Sequence, residues 1–455
     1  MKKTLLLLGL VVATGPAQTP PARMVQEAFL ADPGPLDFVR GEGQEQFIAQ
    51  ALTGDALVGL SAENRPVPRL AASWKVVPGG LDLKLRDDAR FTDASPVTAA
   101  DVAWTLQAIE ADPQASATKR AALGDLKASG EGLRVALRGS RPAARLLTEL
   151  WRVPIAKAGH GDMGSGPFTL LRSGTEWTFT ARPGHFLHPR IPGLHFRLLP
   201  DEAGRLLAMR KGWLTIGVPP PQPGLAPPSG MTELVQPTLA QLVVWTGPGS
   251  TPGALRALAK WRGDAFPPAL MGRAYAPAKG LWPTALGFPE LDPAPGKEIC
   301  PASLELAYTA GDSVLERQLQ ALAARAARDG VTLKLRPLEA GLFLDQLTKG
   351  RLALGVITNV FDPGPWSVLG YLEQGGDLNF TGWADPEALP LLAKLGDPKS
   401  PAWKELQALW ARHPAALPLL DLHSVLWVDR RLELQPCALG IYMATPGAAG
   451  WRWRE

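Results

Sequence analysis

The chain has 455 residues, of which 46% are apolar and 20% are charged, and its formal net charge is +4. This length predicts two or three domains, and the apolar fraction is too high for a disordered chain. Basic and acidic residues are interspersed without a run of like charge, which argues against nucleic acid as a partner.

The amino terminus has the pattern of a signal peptide over residues 1–17. Lys2 and Lys3 precede an apolar run from residue 4 to residue 14, and Gly15-Pro16-Ala17 offers small residues for cleavage. The alternative is an uncleaved membrane anchor, but the run is too short to cross a bilayer of about 30 Å as a helix. No cysteine lies near the cleavage position, so we expect a soluble, periplasmic or extracellular protein rather than a lipid-anchored one.

The first half of the chain alternates predicted strands and helices. Apolar spacing predicts a helix over residues 43–60, with Phe47, Ile48, Leu52 and Leu57 on one side. Thr98 is placed to cap a further helix, with Asp101 completing the capping box. Strands are predicted over residues 25–30, 68–74, 81–86 and 133–137.

The second half continues with the order expected of a parallel sheet. A turn at residues 164–167 leads into a strand, residues 199–216 contain a helix, and the proline-rich residues 218–228 are irregular. After Cys300, strands at residues 304–308, 331–335 and 352–357 alternate with helices near 313–330, 343–347 and 387–395. Strand–helix–strand order favours parallel pairing.

No residue pattern identifies a catalytic centre, a metal site or a cofactor. Gly311-Asp312-Ser313 resembles a hydrolase motif but suits an ordinary helix cap. His185, His188 and His195 could cluster on a metal, but nearby prolines and Gly184 favour an exposed loop with solvated histidines. We therefore predict that the chain is not an enzyme.

The chain has two cysteines, Cys300 and Cys437. In an exported protein an even count is typical of a disulfide bond, and two separate buried thiols are the alternative. The sequence leaves both open.

Several segments in order resemble the family 5 extracellular solute-binding proteins, the oligopeptide and dipeptide receptors of ABC importers. They lie at residues 68–109, 164–170, 199–216, 304–336 and 345–395. Ala94 stands where the family usually has glycine, which is tolerable if the backbone avoids positive φ. Asn359 stands where peptide receptors of the family have an aspartate that pairs with the ligand's α-amino group, so di- and tripeptide specificity is in question.

The resemblance implies an α/β fold of two lobes with ligand enclosed between them, the large (type II) class of periplasmic binding proteins. Residues 18–254 and 429–455 would form the first lobe, with an extra subdomain at about 42–163. Residues 255–428 would form the second lobe.

The resemblance and the aromatic residues together suggest a set of ligand-binding candidates. Asn359, Asp362 and Asn379 match the family's cleft segment, and Trp366 and Trp383 flank it. Trp245 lies near the predicted crossover between the lobes, and Phe29 ends the first predicted strand. Trp104 and Trp410 are expected in the core instead.

The function that the resemblance implies is an exported, monomeric receptor that delivers an oligopeptide-like solute to an ABC permease. An oligosaccharide is the second ligand class, because aromatic walls suit a sugar equally well. A receptor-derived binding module without a transport role and a secreted hydrolase are further alternatives.

Overall fold

The computed structural model describes residues 23–220, 224–247, 250–266, 272–287, 300–311, 313–364, 367, 387–392, 394, 400–412, 414, 416–435 and 447–454. The predicted signal peptide lies outside these residues and stays a prediction. Within the described part, no helix is long and apolar enough to cross a membrane.

The strands of the described residues are β1 (Val25–Phe29), β2 (Val58–Leu60), β3 (Pro66–Pro68), β4 (Ala71–Val77), β5 (Gly80–Leu85), β6 (Lys127–Glu131), β7 (Arg134–Arg138), β8 (Phe168–Ser173), β9 (Glu176–Ala181), β10 (Gly193–Leu198), β11 (Ile216–Gly217), β12 (Met231–Thr246), β13 (Tyr275–Pro277), β14 (Ser303–Thr309), β15 (Thr332–Leu338), β16 (Leu354–Val360), β17 (Ala416–Asp429), β18 (Leu432–Glu433) and β19 (Arg452–Trp453).

The helices are α1 (Gln44–Thr53), α2 (Ala99–Ala111), α3 (Ala117–Leu123), α4 (Ala143–Glu149), α5 (Glu202–Arg210), α6 (Pro252–Ala265), α7 (Ser313–Arg328), α8 (Ala340–Thr348), α9 (Ala388–Leu392) and α10 (Ala402–Arg412).

Three of the sheets divide the chain into its main parts. The order β1-β10-β9-β8 forms a sheet of the first lobe, and β4-β5-β7-β6 forms an antiparallel sheet with its own core. The largest sheet has the order β11-β17-β12-β16-β14-β15, with β13 also paired to β17. As predicted, β14 pairs in parallel with β15 and β16, with helices α7 and α8 between them in the chain.

The long strands β12 and β17 connect the two lobes. They pair antiparallel along most of their length, with a register shift between Pro237 and Gln241. On one side of this shift, β17 supplies Leu426 and Val428 to the core of the β1-β10-β9-β8 sheet. On the other side, Leu242 and Leu417 pack in the core of the second lobe. The predicted lobe boundaries at residues 254/255 and 428/429 stay predictions, although the packing partners change within these two strands.

One sequence prediction about local structure is wrong, and the condition placed on Ala94 is not met. The helix predicted over residues 43–60 ends at Thr53, because Gly54 is extended and Leu57 then leads into β2. Ala94 does not avoid positive φ: it has φ of 67° in the turn between Phe91 and Ser95. The turn therefore forms without glycine, the residue that adopts positive φ at little cost in conformational energy.

The capping box predicted before α2 is present. The Thr98 side chain accepts from the helix backbone, and Asp101 accepts from the backbone N–H of Thr98 at 2.8 Å. Trp410 is buried, as predicted, and Trp104 is partly buried against the core of the β4-β5-β7-β6 sheet.

The glycines before β8 allow two chain segments to touch. A Cβ on Gly166 would lie 2.4 Å from the backbone nitrogen of Gly54, and the Gly166 N–H donates to the carbonyl of Thr53 at 2.8 Å. Only glycine permits this approach without moving the backbone. The motif at residues 164–167 therefore fixes β8 against the end of α1.

Candidate site between the lobes

An ion pair joins the two lobes beside the end of β16. Arg152, in a 3₁₀ turn at Leu150–Arg152, donates from Nε to Asp362 Oδ1 at 2.6 Å. Both side chains are mostly buried, with 16% and 18% of their surfaces exposed. Partial burial reduces solvent screening, so this pair is stronger than an exposed one.

Apolar side chains from both lobes pack beside this ion pair. Trp151 of the first lobe lies in one cluster with Leu239, Trp245 and Phe361, and Phe47 packs against it. The rings of Phe47 and Trp151 meet edge to face, with centroids 5.5 Å apart. The junction therefore carries aromatic rings as well as charge.

Three buried polar side chains form a row across neighbouring strands. Asn359 on β16 pairs in register with Gln241 on β12, which in turn pairs with Asp421 on β17. Gln241 Nε2 donates to Asp421 Oδ1 at 2.8 Å and to the carbonyl of Gly280 at 3.2 Å. Asp421 also accepts from the backbone N–H of Thr284 at 3.2 Å and from its hydroxyl.

Two atoms of this row have no hydrogen-bond partner among the described residues. They are Asn359 Nδ2, in a side chain only 3% exposed, and Gln241 Oε1. A buried amide left unpaired costs roughly 1–3 kcal/mol, and a ligand that supplies the missing partners recovers it. The row thus offers one donor and one acceptor near the register shift of β12.

A second charged group lies close to Asp362. Glu149 accepts from Arg141 and from Arg145, each at 2.8 Å. Burial raises the pKa of Glu149, the Asp362 carboxylate adds to the increase, and the two arginines oppose it. The first-lobe face of the junction is therefore rich in guanidinium groups.

The structure places the predicted site residues unevenly. Asn359 and Asp362 lie together at the junction, and Trp245 packs beside them but is fully buried. Phe29 lies apart, in the core of the first lobe, stacked on Phe196 with centroids 4.3 Å apart. Trp366, Asn379 and Trp383 lie outside the described residues, so their roles stay predictions.

The proposed disulfide bond also stays a prediction. Cys300 is partly buried, burial raises the pKa of its thiol, and Cys437 lies outside the described residues.

His185 does not lie in an exposed loop, contrary to the prediction. It is 7% exposed, and its Nε2 lies 3.0 Å from Asp55 Oδ2. Because its Nδ1 accepts from the backbone N–H of Leu187, Nε2 carries the proton and donates to Asp55. The Ser165 hydroxyl donates to the same carboxylate oxygen at 3.3 Å, so His185 does not face this serine as a base.

His188 and His195 differ in their surroundings. His188 is exposed in a turn with φ of 48°, as predicted, whereas His195 is partly buried on β10, with its Nδ1 3.1 Å from the Thr178 hydroxyl. Across the described part of the chain, no three His, Cys, Asp or Glu side chains are placed to hold a metal ion.

Sequence reasoning missed Arg152, Gln241 and Asp421. Gln241 interrupts the otherwise apolar residues 239–245 and Asp421 the otherwise apolar residues 416–422, and that signal could have identified both as buried polar residues. Nothing local in the sequence links Arg152 to Asp362, which is 210 positions away.

Residues 65–239 match the family model described as bacterial extracellular solute-binding proteins, family 5, middle region. The match covers less than half of the chain. No curated protein sequence matches it. The family model describes solute-binding proteins.

Solved structures with the family 5 fold align over nearly the whole chain. The Escherichia coli murein tripeptide binding protein MppA has a TM-score of 0.75 at 15% identity, covering 96% of this chain and 99% of its own. The oligopeptide-binding protein AppA from Bacillus subtilis, in complex with a nonapeptide, has a TM-score of 0.72 at 13% identity, covering 95% and 99%.

A third structure is the dipeptide binding protein from Pseudoalteromonas sp. SM9913 in complex with Met-Leu. Its TM-score is 0.76 at 13% identity, covering 95% of this chain and 100% of its own. These likenesses confirm the two-lobed α/β fold that the sequence predicts for this chain.

Proposed function

We propose that this chain is an exported, monomeric receptor of an ABC importer, which encloses an oligopeptide-like ligand between its lobes and delivers it to a membrane permease. The observation that carries the proposal is the buried row of Asn359, Gln241 and Asp421 at the junction, with an unpaired amide donor and an unpaired acceptor. A peptide backbone supplies both complementary groups. The ligands named for the similar structures, a murein tripeptide, a nonapeptide and Met-Leu, support this class.

Ligand entry requires the junction to open. The ion pair between Arg152 and Asp362 and the packing of Trp151 against the second lobe must separate, while β12 and β17 stay continuous. The register shift near Pro237 is where these strands can bend, since a break in the ladder has fewer hydrogen bonds to distort. Under this proposal the core of the second lobe, which includes Leu242 and Leu417, moves largely as one unit, while Leu426 and Val428 stay with the first lobe.

The absence of a carboxylate at position 359 sets the expected ligand preference. We expect Asn359→Asp to strengthen binding of a peptide with a free α-amino group about fivefold, because a charge-assisted hydrogen bond exceeds a neutral one by about 1 kcal/mol. Isothermal titration calorimetry with one dipeptide and its N-acetylated form measures this. The acetylated form is the control, and its affinity should not increase. Equal gains for both forms would show that the ligand amine does not lie at residue 359.

The proposal as a whole is tested by native mass spectrometry of the full chain, purified from the exported fraction without denaturation. We expect a co-purified peptide, and uptake of that peptide by the native cells should depend on the chain. A bound sugar would contradict the peptide class. A chain without bound ligand that also fails to bind a pool of short peptides would contradict the receptor function.

A further inference from the structure

A small cavity lies in the first lobe at the end of β1, away from the junction between the lobes. Its volume is about 40 Å³, and it is lined by β1, the start of α1, α5 and the residues around β11. Since about 10–15 Å³ of such space holds one water, there is room for roughly three waters or a small polar head group. Exposed Leu30, Gln44 and Val218 form its mouth.

The floor of the cavity carries a buried carboxyl group. Glu27 lies between Val25 and Phe29 on the core-facing side of β1 and is only 3% exposed. Its Oε2 has no hydrogen-bond partner among the described residues, and burial raises the pKa of Glu27 well above its usual range. Burying a carboxyl group lowers the stability of the folded protein unless a hydrogen-bond or charge partner pairs with it.

The wall of the cavity carries a guanidinium group. Arg205 on α5 donates from one terminal nitrogen to the carbonyls of Leu199 at 2.9 Å and Pro200 at 2.6 Å. Its Nε is buried and has no partner within the described part of the chain. Glu27 and Arg205 line the same space, but the structure records no ion pair between them.

The start of α1 adds further donors. Gln44 and Glu45 line the cavity, and the N-cap residue Gly43 makes no side-chain cap. The first amide groups of a helix have no partner inside the helix and favour an anion.

We propose that this cavity is a second binding site, which takes the head group of a small α-amino acid. The ammonium group pairs with Glu27 Oε2, and the carboxylate accepts from Arg205 Nε and the first amides of α1. A simple cation is disfavoured by Arg205 and a simple anion by Glu27, so a ligand with both charges is the complementary one. A longer side chain of the bound amino acid extends out of the cavity through its mouth.

The test is calorimetric titration of the full chain with glycine, methylammonium and acetate. We expect glycine to bind at least tenfold more tightly than the other two, and Glu27→Gln to weaken glycine binding at least tenfold. The substitution keeps the size of the side chain and removes an ionisable group that is costly to bury, so this variant should fold. Glu131→Gln, at an exposed position on β6, is the matched control and should bind glycine like the wild type.

A second readout identifies Glu27 itself. Burial raises the pKa of Glu27, and pairing with the ammonium group of glycine favours the ionised carboxylate. Titrations in buffers of different ionisation enthalpy should therefore show more proton release in the wild type than in Glu27→Gln. No glycine binding, equal binding to Glu27→Gln, or acetate or methylammonium binding as tightly as glycine would each overturn the proposal.

The site is independent of the receptor function, and the experiment keeps the two apart. A dipeptide bound between the lobes should leave glycine binding at Glu27 unchanged. If dipeptides fail to bind while glycine binds through Glu27, the receptor proposal fails and the second site stands.

Discussion

At the scale of single residues, Ala94 holds a backbone conformation that favours glycine. It is exposed and has φ of 67°, with Ser95 Oγ donating to Asp93 at 2.6 Å beside it. A left-handed conformation costs an L-residue about 1–2 kcal/mol, whereas glycine adds about 0.4–1 kcal/mol of unfolded-state entropy. We therefore expect Ala94→Gly to raise the free energy of unfolding by about 0.5 kcal/mol in urea titrations.

The control for this prediction is Ala324→Gly, at an exposed position inside α7. Glycine inside a helix costs about 1 kcal/mol, so this change should have the opposite sign. Destabilisation by both variants would show that the turn at Ala94 is not strained.

Glu27 makes stability depend on pH. Its folded-state pKa is raised by burial, so its contribution to stability is complete below the unfolded pKa of about 4.3 and is lost as pH rises through the folded pKa. Glu27→Gln does not titrate. Above about pH 4, the free energy of unfolding of Glu27→Gln should rise relative to that of the wild type by up to about 1.4 kcal/mol per pH unit. This rise stops at the pH where the wild-type carboxyl ionises in the folded state.

Urea unfolding between pH 4 and pH 8 measures this difference, with Glu131→Gln, at an exposed position on β6, as the control. Arg205 and Glu45 also face the cavity, so the measured slope includes their influence. A constant difference between Glu27→Gln and wild type would mean that the folded carboxyl titrates normally.

At the scale of elements, the 3₁₀ turn and the end of β16 make the charged contact between the lobes. We expect Arg152→Met to favour the open arrangement by about 1 kcal/mol, a roughly fivefold change in the ratio of open to closed molecules, because Asp362 loses its partner. Distance measurements between spin labels on the two lobes detect this shift.

The control variant for Arg152→Met is Arg138→Met. It removes an ion pair with Asp82 whose side chains are 45% and 50% exposed, inside one sheet of the first lobe. Its distance distribution should equal that of the wild type. An unchanged distribution in Arg152→Met as well would show that the ion pair does not hold the lobes together.

Much of the element pattern could be predicted because its signals are local. The alternation of Leu81, Leu83 and Leu85 fixes the strand β5, and the pair Thr98 and Asp101 fixes the start of α2. The predicted helix extends too far, because the apolar spacing in the sequence continues beyond Gly54 as far as Leu57. The close approach of Gly166 to the end of α1 involves a distant segment, which the local pattern does not indicate.

The site could be predicted only in part for the same reason. Asn359 and Asp362 follow from a segment that resembles the family. Arg152 and the pairing of Gln241 with Asp421 depend on contacts between residues far apart in the chain, and a single sequence carries no direct record of those contacts.

At the scale of the whole molecule, the carboxyl-terminal segment completes the core of the first lobe. Trp451 is fully buried there, in the same cluster as Val25 and Phe196. We expect Trp451→Ala to lower the stability of this lobe by about 3–5 kcal/mol, the usual effect of removing a buried large aromatic side chain. Calorimetry should show an earlier first-lobe transition beside an unchanged second-lobe transition.

Trp213→Ala is the comparison, because Trp213 is 58% exposed in the same lobe. It should change stability by about 0.5 kcal/mol or less. A single transition that shifts as a whole in Trp451→Ala would instead show that the two lobes unfold together.

The contact between Trp453 and Arg23 joins two segments that are synthesised far apart in time. The Trp453 indole donates to the carbonyl of Arg23 at 2.7 Å, across 430 positions of sequence. Strand β1 is among the first described segments to leave the ribosome, whereas the residues that close its lobe are among the last. The described strands that pack in the second lobe come earlier in the chain than β18 and β19, so the first lobe is completed later. Until then its apolar surface stays open to a chaperone.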